Sequence, residues 1–126
     1  MSWQAYVDSH LIATGQVAEA AIIGLQGGVW ATSKNFTLST EEQKAIVDGF
    51  TNPDQIQASG VRLAGQKYFT LSVVGRTIQA KKAADGAVIV KTKQAILVAV
   101  YRAPVQAPEA TPIVEKLADY LITAGY

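Results

Sequence analysis

The sequence predicts an α+β fold: a central antiparallel β-sheet with a helix at each end of the chain. Three features predict it. Residues 61–101 read as short strands separated by turn signals at close intervals, and Ala95–Val100 is apolar at every position, as a strand covered on both faces must be. At both chain ends the spacing of apolar residues is helical. A length of 126 residues suits one domain, spanning 1–126, with a core of its own.

Ser2 is a suitable N-cap for the first helix, in which Trp3 and Tyr6 share a face, and Thr14-Gly15 ends it. Ala18–Leu25 reads as a strand, Gln26-Gly27-Gly28 as a hairpin turn and Val29–Ser33 as the returning strand. Leu38-Ser39-Thr40-Glu41-Glu42 has capping-box spacing, with Ser39 at the N-cap and Glu42 three residues on; the helix it opens runs through Ala45-Ile46-Val47 and stops at Gly49. Asn52-Pro53-Asp54 starts a second short helix. Strands follow at Val61–Ala64, Lys67–Val73, Thr77–Lys82, Ala87–Val90 and Gln94–Tyr101. Turns at Ala64-Gly65-Gln66, Val74-Gly75, Asp85-Gly86 and Thr92-Lys93 make them an antiparallel meander. Pro104, Pro108 and Pro112 punctuate the way to the last helix, with Thr111 its expected N-cap and Pro112 its first residue. Ile113, Val114, Leu117, Ala118 and Leu121 form its buried face, and Gly125 ends it.

With 49% hydrophobic and 17% charged residues the composition is globular, and no apolar run nears the ~20 residues of a membrane span. Cysteine is absent, which excludes disulfides and thiolate chemistry; with no secretory-type leader, this favours the cytosol. The net charge of +1 conceals an asymmetry, since residues 61–102 hold eight basic side chains against the single acid Asp85. A basic middle suits an anionic partner, whether an acidic protein surface, a phosphoinositide or a nucleic acid; the plainer explanation is Lys and Arg protecting exposed strands. Catalysis has little to work with: His10 is the single histidine and no Gly-rich phosphate loop precedes a helix. The close acids, Glu41 with Glu42 and Glu109 with Glu115 and Asp119, are accounted for by helix starts and solvent faces. No catalytic residue, metal or cofactor is therefore expected. His10, four residues after Tyr6, is a surface histidine placed to border any patch that includes Tyr6.

The aromatic residues are the distinctive chemistry. If the terminal helices lie side by side, Trp3, Tyr6, Tyr120 and Tyr126 form one patch, and Trp30 lies on the sheet beneath it. A polyproline II segment has free carbonyls and flat apolar ridges at a three-residue repeat. Rings that carry an N–H or O–H donor meet both demands. The competing role, pinning helices to the sheet, applies to Trp30 and Trp3 more than to Tyr126.

Met1-Ser2-Trp3-Gln4-Ala5-Tyr6-Val7-Asp8, Ala64-Gly65-Gln66-Lys67-Tyr68, Val90-Lys91-Thr92-Lys93-Gln94 and Val114-Glu115-Lys116-Leu117-Ala118-Asp119-Tyr120-Leu121 together resemble profilin, of the short kind found in fungi, amoebae and other lower eukaryotes. The W-x-x-Y opening and the L-x-D-Y-L ending carry most of the specificity. The resemblance covers essentially the whole chain. It implies that the two terminal helices pack on one face of the sheet and the shorter helices on the other. It also implies a non-enzymatic protein that binds monomeric actin one to one, promotes nucleotide exchange on actin, and delivers actin to filament ends by docking proline-rich partners such as elongation factors.

By position, the implied proline-rich ligand surface is Trp3, Tyr6, Trp30, Tyr120, Leu121 and Tyr126. The implied actin surface is Ala58, Lys67, Thr70, Ser72, Lys81, Gln106, Thr111 and Lys116. Phosphatidylinositol bisphosphate is a further implied ligand, with Arg76, Lys81, Lys82 and Lys91 as its contacts. No nucleic-acid partner follows, and the chain is expected to be a monomer, cytoplasmic and associated with the cytoskeleton. Some relatives have histidine where Tyr120 stands. Ala107-Pro108 and Pro112 depart from the family pattern near the actin contact, and Ser72 replaces a basic residue of certain animal relatives. The alternative reading is a phosphoinositide-regulated adaptor at the membrane surface with weak or no actin binding.

Overall fold

The computed structural model describes residues 2–126. Its strands are β1 Glu19–Gly24, β2 Val29–Thr32, β3 Val61–Leu63, β4 Gln66–Val74, β5 Thr77–Lys82, β6 Asp85–Lys91 and β7 Ala95–Tyr101. They form one sheet in the order β2-β1-β7-β6-β5-β4-β3, with every neighbouring pair antiparallel. The expected meander is thus observed, and the first hairpin closes onto β7.

The period-two alternation of β7 divides the interior. Ala95, Leu97, Ala99 and Tyr101 point into one core, shared with Val7 and Leu11 near the N-terminus and with Val114, Leu117, Ala118 and Leu121 of α4 (Ala107–Thr123). Ile96, Val98 and Val100 point into the other, with Ile46 of α2 (Thr40–Thr51) and Ile56 of α3 (Pro53–Ser59). The terminal helices therefore share one face of the sheet and the short helices cover the other. Every residue of β7 is buried, as its unbroken apolar run requires.

The first helix begins at α1 (Trp3–Ala5), where the Ser2 hydroxyl accepts the Ala5 N–H at 3.1 Å. It continues as a wider π-helical stretch, Tyr6–Leu11, then a 3₁₀ turn, Ile12–Thr14, and stops at left-handed Gly15 (φ 79°). The capping box at Ser39 and Glu42 is formed. The buried Glu42 carboxylate also accepts the N–H groups of Ala64 and Gly65 at 3.2 and 2.8 Å, tying α2 to the β3–β4 turn.

Three boundaries differ from expectation. The last helix starts at Ala107, not Pro112: Gln106 is its N-cap, its N–H donating to the Glu109 carboxylate at 3.0 Å. Pro112 consequently lies inside the helix, where the backbone lacks the N–H that would reach back to Pro108. Asp85-Gly86 belongs to β6, and the turn is Ala83-Ala84, with Lys82 paired to Asp85. Gly86 is small for a packing reason, because a Cβ there would overlap the Tyr101 hydroxyl. Likewise α2 runs past Gly49 to Thr51, and a Cβ on Gly49 would meet Ile56 Cδ1 at 2.6 Å.

Candidate binding surfaces

Packing the first helix beside α4 brings the isolated aromatics together. Trp3 is central, with ring centroids 5.5 Å from Tyr6, 4.7 Å from Trp30 and 4.9 Å from Tyr126, the last edge-on at 88°. Tyr6 extends the row to Tyr120 at 6.0 Å and to His10 at 5.5 Å. The result is a shelf and not a buried cluster: Tyr120 is 56% and Tyr126 43% exposed, while Trp3, Tyr6 and Trp30 rest half-buried on the core. Leu121 is the exception among the six residues, fully buried in the core that supports the rings. It faces inward because it shares a helical stripe with Val114, Leu117 and Ala118, so it underpins the surface and presents none of it.

Two backbone features aim the rings. Trp30 lies against Gly24 on the neighbouring strand, where a Cβ would come within 2.7 Å of the indole nitrogen. Tyr126 is held through its main-chain oxygen, which accepts from the Gln94 N–H at 2.6 Å and the Thr92 hydroxyl at 2.8 Å; the Gln94 amide adds a bond to Gly125 O at 3.0 Å. Hydrogen bonding with the Tyr120 hydroxyl, chiefly, pushes the Tyr6 pKa above the ordinary tyrosine range.

The other region of interest is the part of β4 and β5 that α4 leaves uncovered. Phe69 pairs with Lys81, Ser72 with Gln79 and Val74 with Thr77, with a bulge between Thr70 and Ser72. Phe69, Leu71 and Val74 are 66%, 63% and 72% exposed, and the Lys67 ammonium sits 5.6 Å from the Phe69 ring centre. The Gln79 amide donates to the Thr111 hydroxyl at 3.0 Å, which joins this surface to α4.

A family model for profilin matches residues 1–126. Profilin-1A of Acanthamoeba castellanii is 48% identical over 126 residues, covering all of both chains. The solved Acanthamoeba castellanii profilin IB superposes with a TM-score of 0.96 at 47% identity, covering 99% of this chain and 100% of that one. This chain belongs to the profilin family. Mouse profilin IIa, solved in complex with a double repeat from the FH1 domain of mDia1, shares the fold at 19% identity, with a TM-score of 0.81 and full coverage of both chains.

In this profilin the residues that the resemblance assigned to actin do not all meet. Lys67, Ser72, Lys81 and Thr111 border the uncovered face of β4 and β5, and Gln106 caps the adjoining start of α4. Ala58 and Thr70 lie on the α3 side of the sheet, the Thr70 hydroxyl donating to Ile56 O at 2.7 Å. Lys116 is one residue on from Glu115, which faces β5, and so is turned ~100° around α4. It lines a groove with His10 and Tyr120 instead.

The four phosphoinositide candidates separate as well. Arg76 is bound by Glu115 at 2.8 Å and Asp119 at 2.7 Å, and Thr77 donates to the same Glu115 at 2.5 Å. Those bonds, Asp119 first, raise the guanidinium's already high pKa and leave little net charge for an anion. Arg76 and Lys91 stand at one end of β5, Lys91 N–H donating to Arg76 O at 2.8 Å. Lys81 and Lys82 stand at the other end, ~17 Å along the strand. Lys82 is hydrogen-bonded to the Gln66 side chain. Sequence reasoning missed Phe69, Leu71 and Val74; the available signal was Tyr68-Phe69-Thr70-Leu71, apolar at both parities in a strand with one covered face.

Proposed function

We propose that this profilin is a cytoplasmic, monomeric actin-binding protein that docks proline-rich segments on the shelf of Trp3, Tyr6, Trp30, Tyr120 and Tyr126. The observation that carries the proline-rich part is the unbroken row of rings between two helices, half-buried in the middle and exposed at Tyr120 and Tyr126. The rings of Tyr126, Trp3, Tyr6 and Tyr120 follow one another at 4.9, 5.5 and 6.0 Å, close enough for successive ridges of one polyproline II helix, rising ~3.1 Å per residue, to meet them. Tryptophan N–H and tyrosine O–H groups supply donors for the ligand carbonyls.

Actin binding is supported by family membership together with the uncovered β4–β5 surface, where Phe69, Leu71 and Val74 present apolar area beside Lys67 and Lys81. An apolar patch rimmed by cations suits an acidic protein partner. Phosphoinositide binding, in this proposal, rests on Lys81 and Lys82, since Arg76 is neutralised and Lys91 is remote.

Titrating a proline decamer while following tryptophan fluorescence tests the shelf, and pyrene-actin polymerisation with rising profilin tests the sheet surface. A saturable fluorescence change and a slowed polymerisation are expected. No response to the decamer removes the shelf's assignment, and an unaltered polymerisation curve removes that of the sheet.

A further inference from the structure

Beyond Tyr120 the shelf runs into a groove of about 430 Å³ between the first helix and α4. Ser9, His10 and Thr14 form one wall and Ile113, Lys116 and Leu117 the other, with Tyr120 the lip common to groove and shelf. Its charge is one-sided. No acid lines it: of the acids of α4, Glu115 and Asp119 are turned to β5, where they hold Arg76, and Glu109 accepts the Gln106 N–H at the start of the helix. Asp8 is held by the Gln4 amide at 3.2 Å. Among the described residues no carboxylate lies within salt-bridge distance of Lys116, which is exposed.

A segment lying along the shelf as far as Tyr120 sends its next residues, at ~3.1 Å each, into this groove, because Tyr120 belongs to both. We propose that the groove is a subsite for the residues flanking the prolines and that Lys116 selects a carboxylate there, with Ile113 and Leu117 receiving the apolar part of the flank. The ligand class is a proline-rich segment with an aspartate or glutamate at one end. This inference rests on the shelf reading given above. One exposed pair in a wet groove is worth a few-fold in affinity and is screened by salt.

The experiment uses the full chain and seven peptides: a proline decamer, and the same decamer extended by two aspartates, two serines or two lysines at its N-terminal or its C-terminal end. Affinities are read from tryptophan fluorescence at about 20 mM and about 500 mM salt. Aspartates at one end are expected to bind about two- to fivefold tighter than serines at low salt and equally at high salt. Lys116→Gln abolishes that gain while leaving the plain decamer within twofold, and Lys116→Glu transfers the preference to the lysine-extended peptide. Equal affinity of aspartate and serine peptides at both ends overturns the inference, as does a gain that survives in Lys116→Gln. A plain decamer that fails to bind overturns the shelf reading and this subsite with it.

Discussion

Trp3 touches three other rings, and each such aromatic pair contributes roughly 0.5–1.5 kcal/mol beyond the area it buries. Removing it opens the middle of the row. Trp3→Ala is expected to weaken proline-decamer binding by about 30-fold or more, the scale of a central aromatic anchor, while inhibition of actin polymerisation stays within twofold. Equal loss of both activities means that the substitution unfolds the chain. Thr92 is a quieter case: buried, it donates to Tyr126 O at 2.8 Å and accepts the Ala95 N–H at 3.1 Å. Thr92→Val leaves those groups short of a partner, frees the residue that carries the Tyr126 ring, and lowers decamer affinity about fivefold, with Thr92→Ser restoring it. The rings were legible because large aromatics with donors stand apart from the apolar repeat. Thr92 and Gly24 were not, because their roles are set by contacts that no local spacing encodes. Leu121 came to the ligand surface through the family resemblance alone, while its place in the apolar stripe of α4 already marked it as buried, which it is.

Among the elements, α4 shows how a weak signal loses to a strong one. Proline favours the first turn of a helix, so Pro112 and the preceding Thr111 dominated the boundary. The actual start uses a less familiar pair, Gln106 and Glu109, with Pro108 inside the first turn. Pro112 thus costs one helical hydrogen bond. Pro112→Ala restores the N–H at the loss of some rigidity in the unfolded chain, and the urea midpoint is expected to rise by the equivalent of about 1–2 kcal/mol. An unchanged or lower midpoint means that the pyrrolidine ring makes a compensating contact. Gly86 misled in the same way. Asp-Gly is a strong turn signal, yet this glycine is small to admit the Tyr101 hydroxyl from the adjacent strand. Where local chemistry had no tertiary rival, as at the Ser39–Glu42 capping box and the Ala64-Gly65 turn (φ 52° and 82°), it was read correctly.

For the whole molecule, the unbroken apolar run Ala95–Val100 was enough to foresee an interior strand, and the family resemblance supplied the layering of helices above and below it. It did not foresee which charges would be spent internally. Arg76 sits in the basic middle of the sequence but is committed to α4, whereas Lys81 keeps its ammonium on the uncovered sheet face, 6.0 Å from the Tyr101 ring centre. Charge counts cannot separate the two, since pairing is decided by strand register. The two surfaces use different residues, so they should fail independently. Lys81→Glu is expected to weaken actin binding about five- to tenfold and to leave decamer affinity unchanged. Full actin affinity in that variant removes Lys81 from the interface.

β7 is a party wall: its odd residues serve one core and its even residues the other. Neither layer can melt and leave its neighbour standing, because the strand that would have to loosen is the same one. In heavy water, amides of β7 should therefore exchange last and in step with amides of β6 beside it, at rates set by complete unfolding. Early labelling at Ile46 while Leu117 stays protected, or the reverse, would reveal two independently opening halves.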